Sequence, residues 1–306
     1  MTEGLNFGYG TLAGMCNNER GNMTTLVLSC PLCGEKSWEP LWEDALISLE
    51  RCSACRLEWV RPKDLQSTTA TLFDADYFRR NYSPYAQAQK TFFTIELDRL
   101  RQESDLGSVL DVGFGAGAFL EVASAYCQDL YAVDISPFAY QEALRRFKQV
   151  HLVNAALAQA VLPESYFDLV TFWDVLANGP DPRKNLEKAC ALLKPGGALV
   201  IKTPLRPHKF FDAVQKFSAW TAALKRSLVQ YPLRVFHFDP DGLIDVLKKL
   251  GFVSLDARLE REAVWVKPRW RQLALHPRGL IFYGVNRVLQ ARFPSQTLVI
   301  HARKKN

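Results

Sequence analysis

Short apolar runs punctuate the middle of the chain at regular intervals. Those at 108–112, 129–134, 150–154, 167–173 and 197–202 are strongly hydrophobic and short, which reads as strands buried inside a sheet. The segments between them, 116–126, 137–148 and 182–193, read as helices. Strand and helix in alternation predict a parallel sheet with helices on both faces, an α/β fold. Local signals agree with these boundaries. Ser136-Pro137, Asp181-Pro182 and Asp239-Pro240 each pair a capping side chain with a proline suited to the first helical turn, and Gly251 is placed to end the helix that Asp239 starts.

One stretch carries chemistry as well as structure. Val109 to Leu120, VLDVGFGAGAFL, is an apolar run ending in Asp111, followed by Gly113, Gly115 and Gly117 on alternate positions. A strand that turns through such glycines into a helix lets a ligand lie directly against backbone. The spacing Gly113 to Ala118 also fits the looser dinucleotide pattern G-x-G-x-x-A. Asp111 separates the two readings. A carboxylate there opposes a pyrophosphate but suits S-adenosylmethionine, whose sulfonium and ammonium are cationic. A second apolar run, Leu130 to Ile135, ends in Asp134, which lies 21 residues past Gly113. An acidic side chain at that strand end reaches the ribose diol of an adenosine, with Ile135 beside it. Its alternative is a helix cap, a role Ser136 already fills.

DVGFGAGAFL, AVDIS, FDLVTFWDVL and LLKPGGALVIKTP, taken in order, resemble the class I S-adenosylmethionine-dependent methyltransferase superfamily over roughly residues 105 to 256. The resemblance implies a Rossmann-like seven-stranded sheet, closed by antiparallel strands near 252–260 and 296–303. It also implies a cofactor site built from Asp111, Gly113, Gly115, Gly117, Asp134, Ile135, Trp173 and Asp174. The methyltransferase domain is expected over 105–306, with basic insertions near 205–236 and 264–294.

Upstream, Cys30-x-x-Cys33 and Cys52-x-x-Cys55 are separated by 18 residues, the spacing of a four-cysteine zinc site. Four thiolates leave no open position, so the zinc is expected to be structural; two disulfides are the alternative. A zinc ribbon over 23–62 is therefore expected, in a combination that resembles sugar and natural-product methyltransferases. A helical connector over 63–104 follows, rich in aromatics, with Tyr77 and Tyr82 as candidates for a lid or for packing. Cys127 and Cys190 read as packing residues.

Composition adds limits and one further pointer. Among 306 residues, 48% are hydrophobic, yet no run approaches the length of a membrane span. Residues 1–22 lack a signal-peptide pattern and read as a disordered tail, so a soluble, cytoplasmic protein is expected. The net charge of +6 is unevenly placed. Between Ala263 and Asn306 there are nine Lys or Arg and no acidic residue, and Lys202 to Arg234 holds seven against the single Asp212. One-signed regions of this kind suggest an anionic partner or a merely solvated face. An amphipathic helix is expected near 280–289, with Ile281, Phe282, Val285 and Leu289 on one face. It reads either as a membrane-surface contact or as a helix packed on its own core.

On the acceptor side, strand ends deliver Trp173, Asp174, Lys202, Thr203 and Pro204 to the sheet edge where ligands bind in such folds. The loops beyond bring Asn178, His208 and His237. His237, in VFHFDP, is the first candidate for a base, with His208 and Asp174 as weaker ones and a packing role for His237 as the alternative. Many methyltransferases that the chain resembles have Glu-His after the fourth strand, where this chain has Ala177-Asn178. The activity expected from the resemblance is methyl transfer to a small or lipid-linked, anionic metabolite, at oxygen or activated carbon. An RNA methyltransferase gripping phosphates through its basic regions, and a binding protein that keeps the fold without turnover, are the alternatives.

Overall fold

The computed structural model describes residues 29–63, 86–179, 181–206, 229–261 and 296–306, with isolated pieces at 15–17, 23–25, 77 and 226. Within the segment read as a disordered tail, Met15–Asn17 pairs antiparallel with Met23–Thr25. The rest of that tail, Tyr82, His208 and the expected helix at 280–289 lie outside the described residues, as do 207–225 and 227–228 of the first basic insertion and all of the second.

The ribbon contributes strands β1 (Trp38–Glu43), β2 (Ile47–Cys52) and β3 (Glu58–Pro62). After the connector helix α1 (Ala86–Glu103), the chain runs through β4 (Ser108–Val112), α2 (Ala118–Ala123), β5 (Asp129–Asp134), α3 (Pro137–Arg146) and β6 (Val150–Asn154). It continues through β7 (Phe167–Trp173), α4 (Pro182–Leu192), β8 (Leu193–Leu205), β9 (Phe236–His237), α5 (Pro240–Lys249), β10 (Phe252–Arg261) and β11 (Gln296–Lys304). Seven strands form one sheet in the order β10-β11-β8-β7-β4-β5-β6. Its five central and outer strands run parallel, and β10 and β11 close it antiparallel. The parallel core is the one that the alternation predicted, and the seven-stranded Rossmann-like sheet as a whole is the one that the resemblance implied. The order reverses direction between β4 and β7, which places a crevice at their carboxyl ends.

The caps form as their residue types dictate. Ser136 accepts from the Ala139 amide, Asp181 from Lys184 and Asp239 from Gly242, and a proline follows each cap. Val109, Leu110, Leu169, Val170, Leu199 and Val200 are fully buried in the centre of the sheet. β8 begins four residues earlier than its apolar run, at Leu193, and a register shift between Leu193 and Ala198 absorbs the Lys-Pro-Gly-Gly turn.

The ribbon is not a separate lobe. β9, which lies in sequence between strands β8 and β10 of the larger sheet, pairs antiparallel with β3 and becomes the edge strand of the ribbon's own sheet, order β9-β3-β2-β1. The cysteine knuckles Cys30, Cys52 and Cys55 share one buried cluster with Leu186, Leu243 and Phe172 of the larger domain. A Cβ on Gly242, in α5, would lie 1.8 Å from the Cys55 carbonyl oxygen. Only glycine permits the helix to come so close to a knuckle.

Candidate functional site

The crevice at the carboxyl ends of the parallel strands is an open cleft. Its floor is the glycine loop. Gly113 has φ +73°, and a Cβ there would meet a Val175 methyl at 2.4 Å, so neither the backbone conformation nor the space admits a side chain. Asp134, at the end of β5, is tied from both sides. One carboxylate oxygen accepts from the Gly115 amide and the other from the Ser136 amide, each at 2.8 Å. Burial pushes the Asp134 carboxyl up, and these two donors oppose that shift. Asp134 therefore shapes the loop as well as lining the cleft, and each oxygen retains a lone pair for a ligand hydroxyl.

Of the residues singled out from the sequence, Gly113, Gly115, Asp134, Ile135 and Asp174 line this cleft together with Tyr77 and Asn178. Four others are placed elsewhere. Asp111 lies below the loop, 1% exposed, with one oxygen accepting from the Thr171 hydroxyl at 2.8 Å. Burial raises its carboxyl to about 7; the Thr171 bond opposes this and the charge of Asp134 adds to it. Gly117 has φ +78° and caps α2, and a Cβ there would lie 2.6 Å from the Phe147 ring, so its glycine serves packing. Trp173 is clasped by Phe92, Phe93 and Phe119, with ring centroids 5.1–5.7 Å away, and anchors α1 to the end of β7. His237 sits on β9 opposite Glu58 of the ribbon, 1% exposed, and is not among the cleft-lining residues.

Other contacts had no signal in the sequence. Glu58, fully buried on β3, is ion-paired with Arg51 at 2.8 Å and with Arg206, just past the end of β8, at 2.5 Å. Only long-range pairing brings these three together. The Ala155-Ala156-Leu157 turn after β6 forms one cleft wall and carries no motif. Lys202 is ion-paired with Asp174 across the ends of β7 and β8.

The cleft's charges test what it fits. Its described lining holds two carboxylates, Asp134 and Asp174, and no lysine or arginine, with Asp111 buried beneath. Lys202 balances Asp174 from outside the lining, so the uncompensated charge of the lining is that of Asp134, which suits a cationic ligand and opposes a pyrophosphate. The four ribbon cysteines make a second site. Their sulfurs all lie within 4.8 Å of one another, with Cys30 to Cys55 at 3.6 Å and Cys33 to Cys52 at 3.5 Å. A tetrahedral zinc with about 2.3 Å bonds needs sulfurs about 3.8 Å apart, so the donor set fits zinc. The Leu32 and Ala54 amides lie 3.5 and 3.4 Å from the Cys30 and Cys52 sulfurs and orient them.

Comparison with known proteins agrees with the fold. A family model described as a methyltransferase domain matches residues 84–256, more than half of the chain. A "probable S-adenosylmethionine-dependent methyltransferase" of Mycobacterium tuberculosis is 26% identical over 108 residues, 35% of this chain and 39% of that protein. The ubiquinone biosynthesis O-methyltransferase of Coxiella burnetii is 30% identical over 107 residues, 34% of this chain and 46% of that protein. The chain thus spans less than half the length of these curated relatives. Among solved structures, the N-methyltransferase NodS of Bradyrhizobium japonicum, in complex with S-adenosyl-L-homocysteine, is similar with a TM-score of 0.50 at 16% identity, covering 78% of this chain and 100% of that one. The phosphoethanolamine N-methyltransferase 2 of Haemonchus contortus, in complex with S-adenosyl-L-methionine, is similar with a TM-score of 0.52 at 15% identity, over 88% of this chain and 71% of that one. At such identities the likeness is one of fold. The family match, the strand order and the glycine loop place the chain in the methyltransferase-domain family.

Proposed function

We propose that the protein is an S-adenosylmethionine-dependent methyltransferase acting on a small or lipid-linked, anionic metabolite, such as a sugar or natural-product intermediate, at oxygen or activated carbon. The carrying observation is the cleft lining, acidic and free of described cations, set against the glycine loop. The cofactor supplies an electrophilic methyl group on a sulfonium. Asp134 would receive its ribose hydroxyls, Gly113 and Gly115 would let it approach the backbone, and the aspartates would balance its positive charge. Alignment and exclusion of water are the chain's remaining tasks in an in-line displacement. Oxygen as the methyl-accepting atom is supported by the O-methyltransferase name of the ubiquinone-biosynthesis relative. An anionic substrate is supported by the one-signed basic regions of the sequence. Contact with a membrane surface through the basic region at 264–294 belongs to the same reading; among the described residues no helix is long and apolar enough to cross a membrane.

We further propose that the ribbon holds a structural zinc. The ribbon's shared sheet and core support a role in building the catalytic domain. Isothermal titration tests the cofactor assignment. Asp134→Ala should weaken S-adenosylmethionine binding by about tenfold or more, the loss of charge-assisted hydrogen bonds to the diol. Unchanged affinity in that variant would remove the assignment.

A further inference from the structure

The loop after β7 holds two acceptor atoms with no donor among the described residues. Asp174 takes a left-handed conformation, φ +60°, and its amide donates to the Lys202 carbonyl at 2.8 Å, which locks the turn to the neighbouring strand. Its carboxylate is divided in function. Oδ2 is bound by the Lys202 ammonium, which itself lies 5.8 Å from the Phe92 ring centre. Oδ1 is buried and has no hydrogen-bond partner among the described residues. One helical turn further on, the Asn178 side-chain amide donates to the Asp174 carbonyl at 2.9 Å. That bond fixes which end of the amide is nitrogen, because the reverse orientation would set two oxygens against each other. Asn178 Oδ1 is then also a buried acceptor without a partner.

Buried acceptors are rarely left unmatched unless something else completes them. Both of these belong to residues of the cleft wall, in the same cleft as Gly113, Gly115 and Asp134. Resting on the methyltransferase reading above, we propose that Asp174 and Asn178 form a paired acceptor site for the methyl-accepting group. The substrate is then a hydroxyl or amine nucleophile with a second hydroxyl or amine beside it, and carbon is disfavoured. One donor hydrogen, on the nucleophile, meets Asp174 Oδ1, and the neighbouring donor meets Asn178 Oδ1. As the nucleophile's lone pair forms its bond to the methyl carbon, the carbon–sulfur bond breaks and its electron pair stays on sulfur, leaving a neutral thioether. The proton released by the nucleophile passes to Asp174 Oδ1. Lys202 acts as a positioning residue, because it occupies the other carboxylate oxygen and presents only one to the substrate.

Ligand-observed NMR on the full chain saturated with S-adenosylhomocysteine tests this without the natural substrate. The probes are cis-cyclohexane-1,2-diol and ethanolamine, with cis-1,2-dimethoxycyclohexane as a donor-free counterpart of the diol. At least one donor-bearing probe should show saturation transfer and the dimethoxy compound none. Asn178→Ala and Asp174→Asn should each reduce the probe signal by about fivefold or more, roughly the value of one hydrogen bond. The affinity of Asn178→Ala for S-adenosylmethionine should stay within about twofold of the unmodified chain. Equal signals from diol and dimethoxy compound, silence from both donor-bearing probes, or full signal in both variants would overturn the proposal. A tenfold loss of S-adenosylmethionine affinity in Asn178→Ala would overturn it too, assigning the pair to the cofactor's ammonium. Failure of the unmodified chain to bind S-adenosylmethionine would instead refute the methyltransferase reading itself. Should either variant fail to fold, the probe comparison on the unmodified chain still decides.

Discussion

Asp111 is a charged group placed where only an uncharged one is comfortable. Its folded-state pKa, about 7, lies above the ordinary carboxylate value of 3.8, chiefly because burial penalises the charged form. A raised carboxylate binds protons more tightly in the folded state. Its contribution to stability is therefore fully present below about pH 4 and is lost as pH rises through about 7. Asp111→Asn keeps an oxygen for the Thr171 hydroxyl and removes the titration. In the ligand-free protein this variant should melt higher than the unmodified chain at pH 8 and near it at pH 4, as differential scanning calorimetry would show. A variant that melts lower at pH 8 would mean that the carboxylate is already compensated. At this scale the sequence was legible where function follows from spacing along the chain. Gly113, Gly115 and Asp134 meet in the cleft because a strand, a turn and a second strand bring them there. It was not legible where burial decides, since Gly117 answers to the Phe147 ring and Trp173 to three phenylalanines.

Helix α1 is held to the antiparallel edge of the sheet by charge as much as by apolar contact. Glu96, 3% exposed, accepts from His301 on β11 at 2.8 Å and is ion-paired with Arg258 on β10. Two further ion pairs flank it, Arg99 to Asp256 and Arg303 to Glu103. Burial alone would raise the Glu96 carboxyl, but the donors from His301 and Arg258 outweigh it and hold the group at about 2. A lowered carboxylate stabilises above its ordinary value and loses that contribution as pH falls from about 4.5 to about 2. Glu96→Gln should lower stability at pH 7 by about 2 kcal/mol and flatten the decline below pH 4.5, measured by thermal unfolding across pH. An unchanged decline would show that other carboxylates carry it. Strands and helices of the core were readable because each contains its own apolar run and its own cap. The two-residue strand β9 was not, because nothing in Phe236–His237 announces a partner in the ribbon. That pairing explains why His237, a candidate base by position, sits in a sheet against Glu58.

At the scale of the molecule, the ribbon backs the wall of the cleft. The Val60 amide of β3 donates to the Val235 carbonyl at 2.8 Å, and the Val235 and Phe236 amides both donate to the Ala177 carbonyl at 3.0 Å. Asn178 follows immediately. Arg56 beside the knuckle is ion-paired with Asp239, the cap of α5, at 2.6 Å. Loss of zinc should therefore reach the acceptor loop, because metal binding in small cysteine sites is a large part of their folding energy. After chelation, the protein should melt lower, and amide exchange should rise at 175–179 and 235–237 while 130–134 stays protected. Equal exchange with and without zinc would show that the ribbon folds without metal or does not support the loop. The cysteine spacing announced the four-sulfur cluster, whereas its docking depends on the close approach at Gly242 and on strand pairing between distant segments.

The lining of the cleft bears most directly on what the protein binds. Side-by-side isothermal titration of the unmodified chain with S-adenosylmethionine and with NAD decides between a cationic and a pyrophosphate-bearing ligand. The acidic lining and the buried Asp111 require that S-adenosylmethionine bind and NAD not. Binding of NAD with no heat from S-adenosylmethionine would contradict them.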